Sequence, residues 1–176
     1  MHINNEPPRV RPLQPDEWPL YRDLRLRSLA DSPDAYGSTL ADEQERTPQA
    51  WAERLAKASA SGRDYPLIAE CGGDAAGLVW AKFDAVETDV VNIFQMWVVP
   101  GQRGRGVATA LLREALHWAR ANGARAVQLG VERGNASAMR LYAAAGFANL
   151  GTPAPLRPGS HLLEQVMRLA LPGSSA

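Results

Sequence analysis

The chain is nearly without cysteine. Cys71 stands alone among 176 residues, which excludes an intramolecular disulfide and a cysteine-built metal cluster and suits a reducing compartment. It is expected as a buried strand residue. Net charge is missing too: nineteen basic side chains offset nineteen acidic ones, so no global field draws the molecule to nucleic acid or to an anionic membrane. Recognition of charge has to be local. No run of eighteen apolar residues occurs, and the polar, proline-bearing stretch from Met1 to Pro12 lacks the apolar segment of a signal peptide. The expected location is the cytoplasm. His2, His117 and His161 show no metal-ligand spacing, and no bound metal is expected.

What is present suits one globular domain, with hydrophobic residues making up 45% of the chain and frayed tails at about residues 1–8 and 172–176. Asp16 is placed to cap a first helix through Ala30 with Leu20, Leu24 and Leu29 on its apolar face, ended by Pro33. A long irregular loop from Asp31 to Glu45 follows. Thr47 and Pro48 then open a second helix carrying Trp51 and Leu55, stopped by Gly62. Strands are expected at Pro66 to Glu70 and Ala76 to Phe83, joined at Gly72-Gly73-Asp74. Val90 to Val99 is apolar on both faces, as a central strand is.

That strand breaks into Pro100-Gly101-Gln102-Arg103-Gly104-Arg105-Gly106, and Val107, Leu111, Leu112, Ala115, Leu116 and Ala119 then mark one face of a helix that Asn122-Gly123 stops. Val127, Leu129 and Val131 alternate with polar residues as the next strand, parallel to the previous one through a right-handed crossover. Asn135 caps a further helix with Ala138, Leu141, Tyr142 and Ala145, which Gly146 ends. Gly151 to Gly159 is expected as a loop, and Leu162 to Leu171 as a closing antiparallel strand whose exposed edge would offer a dimer contact.

A glycine turn opening a helix is an anion site, because the first helical N–H groups lack intrahelical acceptors and the helix dipole is positive there. A nucleotide kinase would need lysine and a hydroxyl residue after the turn, and no lysine follows. A dinucleotide site has Gly104-x-Gly106-x-x-Thr109 and Glu132 in its favour. Against it stand Thr109 where glycine or alanine packs best, four residues between strand and glycines, and too short a chain after Glu132 for a doubly wound fold. Coenzyme A offers the same pyrophosphate and adds a peptide-like pantetheine arm that pairs with a strand edge.

Met96-Trp97-Val98-Val99-Pro100-x-x-Arg103-Gly104-Arg105-Gly106-Val107-Ala108-x-x-Leu111-Leu112 resembles the cofactor motif of the GNAT superfamily of N-acetyltransferases. Arg103, Gly106 and Ala108 fit its spacing of arginine or glutamine, glycine, and glycine or alanine. Asn135-x-x-Ala138-x-x-Leu141-Tyr142-x-x-x-Gly146-Phe147 resembles the family's second signature. The resemblance implies an α/β (α+β) fold: a mixed, mostly antiparallel sheet with a central splayed parallel strand pair and helices on both faces.

It also implies a site. Backbone N–H groups from Gly104 to Thr109, with Arg103 and Arg105, would hold the pyrophosphate of acetyl-CoA. Strand backbone at Met96, Trp97 and Val98 would pair with pantetheine, and the Val98 N–H would face the thioester oxygen. Asn135 and Tyr142 would touch the cofactor, Asn135 at the pantetheine arm, and Tyr142 would also be the general acid that protonates the departing thiolate. Many relatives carry glutamate where this chain has Asn92, an amide that cannot take a proton. Water held by Glu43, Glu45, Asp89 or Glu132 is one substitute route, and a weakly basic acceptor amine would need no strong base at all. His161 would contact the acceptor, and Trp80, Trp97 and Trp118 would line the slot or pack in the core.

The implied activity is direct acetyl transfer to a primary amine of a small molecule, by a monomer or homodimer. The alternatives are a non-catalytic acyl-CoA-binding or sensing module and a protein N-terminal or lysine acetyltransferase.

Overall fold

The computed structural model describes residues 6–173. His2 and the outer parts of both expected tails lie outside the described residues. Seven strands form one sheet: β1 Arg9–Pro12, β2 Asp64–Cys71, β3 Asp74–Phe83, β4 Val90–Val98, β5 Ala126–Glu132, β6 Ala148–Pro155 and β7 Leu163–Ala170, in spatial order β1-β2-β3-β4-β5-β7-β6. Among the described residues only β4 and β5 are parallel; every other neighbouring pair is antiparallel. Five α-helices among the described residues accompany it: α1 Trp18–Asp31, α2 Leu40–Gln44, α3 Pro48–Ser61, α4 Val107–Ala121 and α5 Ala136–Ala144.

The helices lie on both faces, and each face has its own core. Leu111, Leu112, Ala115 and Ala119 of α4 and Tyr142 of α5 pack on Val79, Ala81, Val91, Ile93, Val127 and Leu129. Tyr21, Leu24 and Leu29 of α1 and Trp51 and Leu55 of α3 pack on Ile68, Leu78, Trp80 and Trp97 of the opposite face. Strand alternation explains the division, since successive side chains of β3 serve the two cores in turn.

Several expectations give way. Asp16 does not cap α1: it lies inside a 3-10 turn over Pro15–Glu17, where the Glu17 carboxylate accepts the Gln14 N–H at 2.8 Å and an Arg11 donor at 2.8 Å. The loop from Asp31 to Glu45 contains a second 3-10 turn and α2, which Thr39 caps by accepting from Asp42 N–H. Cys71 is half-buried at the end of β2 rather than buried within it.

The proline- and glycine-bearing segment after Gly146 is the edge strand β6, as proline permits only at an edge. That places β7 inside the sheet, between β5 and β6, so the last strand presents no open edge for a dimer. Arg9–Pro12 forms β1, too short and too rich in arginine and proline to show a strand pattern.

Two irregularities at β4 create the site. The β4–β5 ladder holds only from Val90 to Ile93 against Ala126 to Leu129, and the strands then part. On the other side, Gln95 and Met96 stand opposite the single residue Val79, a β-bulge in which Gln95 takes φ 61°. Such a bulge bends the strand and re-aims its side chains.

Candidate active site

The parting of β4 and β5 opens a cavity of about 910 Å³ that runs from the glycine turn to α1, β7 and α5. Beyond Ile93 and Leu129 the facing strand edges have no ladder partners, so their N–H and C=O groups are available to a peptide-like ligand. Val99 N–H bonds Ala76 O at 2.8 Å, and the alternation of an antiparallel ladder therefore turns the Val98 N–H away from β3, into the cleft. Tyr36 OH donates to Met96 O at 2.9 Å, and Arg103 Nε donates to Val98 O at 3.1 Å. Trp97 is buried, lines the cavity, and donates its indole N–H to Asp31 at 3.0 Å.

At the mouth, Gly104 and Gly106 take φ 74° and 79°, values that side chains with a Cβ rarely adopt. Gly106 is the N-cap of α4 and supplies no side-chain cap. The first backbone bond of the helix is Ala110 N–H to Gly106 O at 3.0 Å, so the N–H groups of Val107, Ala108 and Thr109 have no helical acceptor. Gly104, Gly106, Val107, Ala108 and Thr109 all line the cavity. This donor set fits the pyrophosphate of coenzyme A, and the free strand edges fit its pantetheine arm.

The two arginines of the turn are not equivalent. Arg103 lines the cavity, but its guanidinium pairs with Asp31 at 2.6 Å, tying the turn to the end of α1. Trp97, Ser32 and Arg103 together hold the Asp31 carboxyl down to about 2. Arg105 lies outside the cavity lining and reaches only Gln102 Oε1, at 3.5 Å.

Tyr142 is buried on α5 and lines the cavity. Burial raises its pKa, helped by the nearby Tyr36 phenol, so it stays protonated throughout the neutral range. Tyr36, which the sequence did not single out, is itself pushed up to about 12, chiefly by burial. Asn135 caps α5 through Ala138 N–H at 3.1 Å and also borders the cavity.

The candidate acids separate. Glu43 is buried in ion pairs with Arg46 and Arg54, Glu45 is exposed, and Asp89 pairs with Arg125; none lines the cavity. Asn92 does, and donates to Asp84 Oδ2 at 2.9 Å. Glu132 lines it while accepting Gly134 N–H at 2.8 Å. The missed acid is Glu164 of β7, the register partner of Glu132. It lines the cavity, has no hydrogen-bond or ion-pair partner among the described residues, and is raised above the ordinary carboxylate range by burial. Gly130 in the middle of β5 was its signal, because a strand glycine marks a close approach by something else.

His117 and His161 are exposed and outside the lining, Trp80 is in the α1 and α3 core, and Trp118 stacks on Tyr65. No group of three or more His, Cys, Asp or Glu side chains among the described residues is placed to hold a metal. No helix among them is long and apolar enough to cross a membrane.

A mostly antiparallel sheet splayed at its one parallel pair, with an uncapped helix start at the mouth of the cleft, defines an acetyltransferase fold. The chain belongs to the Acetyltransferase (GNAT) family, whose model matches residues 20–147. Among solved structures, an acetyltransferase of the GNAT family from Streptococcus pneumoniae superposes with a TM-score of 0.79 at 24% identity, over 94% of this chain and 99% of that one. A Salmonella typhimurium structure with its cofactor acetyl-CoA gives 0.77 at 20% identity, over 97% and 98%.

By sequence, the L-methionine sulfoximine/L-methionine sulfone acetyltransferase of Pseudomonas paraeruginosa is 34% identical over 140 residues, 70% of this chain and 78% of that one. A mycothiol acetyltransferase of Thermobispora bispora is 29% identical over 128 residues, 70% of this chain. The match spans only 40% of that relative's length. A separate match, 32% identical over 85 residues, spans 44% of an L-2,4-diaminobutyric acid acetyltransferase from Nocardia farcinica.

Proposed function

We propose that the protein transfers an acetyl group from acetyl-CoA to a primary amine of a small-molecule acceptor, by direct attack within a ternary complex. One observation carries the reading: the cleft between β4 and β5 joins an uncapped, glycine-lined helix start to a buried, protonated tyrosine. Acetyl-CoA supplies the activated acyl carbon. The Gly104 to Thr109 N–H groups hold its phosphates, the edges of β4 and β5 hold its arm, and the Val98 N–H stabilises charge developing on the carbonyl oxygen. Tyr142 gives its proton to the leaving sulfur.

Glu164 takes the proton that the amine must lose. An unpartnered carboxyl in a partly dry site has the raised basicity that this role requires, and Asn92 cannot supply it. Relatives named for small amine substrates, methionine sulfone and diaminobutyrate among them, support a small acceptor over a protein tail. On this reading the chain works as one domain in the cytoplasm, as a monomer or homodimer.

The test is thiol release from acetyl-CoA across a panel of small amines, with thermal melting beside it. Saturating acetyl-CoA at a hundredfold its Kd should add about 2.7 kcal/mol to stability. Tight cofactor binding with no release for any amine would instead indicate a sensing module.

A further inference from the structure

Arg25 of α1 is only 3% exposed and lines the same cavity. Its Nε has no hydrogen-bond partner among the described residues, and Nη1 reaches only Ser28 Oγ, at 3.4 Å. The guanidinium carbon sits 4.6 Å from the centre of the Tyr36 ring. No carboxylate among the described residues pairs with it: Glu43, the nearby buried acid, is engaged by Arg46 at 3.0 Å and Arg54 at 3.2 Å. Two guanidinium groups thus take up that carboxylate, and the third, Arg25, which lines the cavity, is left over.

A buried charge without a counter-ion is among the costliest arrangements a fold can hold, and burial accordingly lowers the Arg25 pKa. The neighbouring polar groups are already engaged with one another. The strained Gln95 turns its amide to accept Tyr21 OH at 2.9 Å, Arg54 donates to the same hydroxyl at 3.4 Å, and Tyr36 is fixed by its bond to Met96 O. Such a planar donor fork, nearly withdrawn from solvent and laid against the Tyr36 ring, matches a carboxylate in bidentate geometry.

We propose that Arg25 anchors a carboxylate on the acceptor, so that the substrates are amino acids or close analogues rather than simple amines. The inference rests on the acetyl-transfer reading above. Within one cavity it sets a cation on α1 for the acceptor's acid group and the Glu164 and Glu132 carboxylates on β7 and β5 for its ammonium. That is the charge pattern of a zwitterion.

Pairs of ligands that differ only in the carboxylate test it: L-phenylalanine with phenethylamine, L-lysine with cadaverine. kcat/KM should favour the amino acid by about a hundredfold or more, because an amine leaves the buried guanidinium unmatched. Arg25→Gln should erase the difference within each pair through KM. Acetyl-CoA affinity should hold, and melting should stay level or rise, since a charge that costs stability has been removed. Arg25→Lys should recover only part of the preference.

Equal use of both pair members by the wild type would overturn the assignment. So would a loss of acetyl-CoA affinity in Arg25→Gln matching its loss on the amino acid, which would place Arg25 on the cofactor. Binding of each ligand to the coenzyme A-loaded protein, read by thermal shift, separates the two claims. Carboxylate-dependent binding abolished by Arg25→Gln, without turnover of any amine, would overturn the transfer reading and leave the Arg25 site standing.

Discussion

The Glu164 carboxyl group fills the space that a side chain at Gly130 would occupy: a Cβ on Gly130 would collide with its Cδ and Oε1 atoms. Glycine on β5 and glutamate on β7 are thus one feature, a carboxylate laid over bare strand backbone at the cavity wall. Gly130→Ala should fold, because the clash is with the end of a flexible side chain and Gly130 does not need a positive φ. Its kcat should nonetheless fall by about tenfold or more as Glu164 swings away. A Gly130→Ala enzyme with full kcat would separate Glu164 from the chemistry.

Glu164→Gln should lower kcat/KM by about a hundredfold at neutral pH, within the range set by loss of a general base. The wild-type profile should fall on the acid side at a pH above the ordinary carboxylate range. The stability effect has the opposite sign. A carboxyl whose pKa rises on folding carries a penalty that is absent below its unfolded pKa and complete above its folded one. Glu164→Gln should therefore melt above wild type at neutral pH, with the gap closing in acid.

Tyr142→Phe removes only a hydroxyl, which has no protein partner among the described residues, and leaves the ring packed edge-on against Phe147. Melting and acetyl-CoA affinity should change little. Turnover should drop by about a hundredfold or more, the usual scale for a lost general acid. Unchanged turnover at every pH would remove Tyr142 from the reaction.

Asp31 binds Trp97, Ser32 and Arg103 at once, joining α1, β4 and the turn before α4. A carboxylate depressed to about 2 contributes stability that is complete above the ordinary range and lost as pH falls through that value. Asp31→Asn should cost about 1 kcal/mol at neutral pH, a modest figure because the pair is partly exposed. The deficit should vanish near pH 2 in denaturant titrations.

Much of this was legible in the sequence. The apolar run of Val90 to Val99, the glycines of the turn and the helical spacing of α4 are read directly, and Arg103, Gly104, Gly106 and Ala108 of one motif and Asn135, Ala138, Leu141 and Tyr142 of the other line one cleft. What escaped lies where local signals are weak or depend on distant partners. β6 carries prolines and glycine that an edge strand tolerates, and α2 is a single short turn. Glu43 and Glu164 look alike as glutamates, but two arginines neutralise one while the other is left alone in a cavity. On α1 the apolar and polar residues do not segregate cleanly, so nothing local marks Arg25, and only the fold shows it buried with no carboxylate partner among the described residues.

Initial velocities of thiol release, with acetyl-CoA and an amine varied together, test the central claim most directly. Direct transfer in a ternary complex predicts release that depends on the amine and reciprocal plots that intersect. Parallel plots, or release indifferent to the amine, would contradict it.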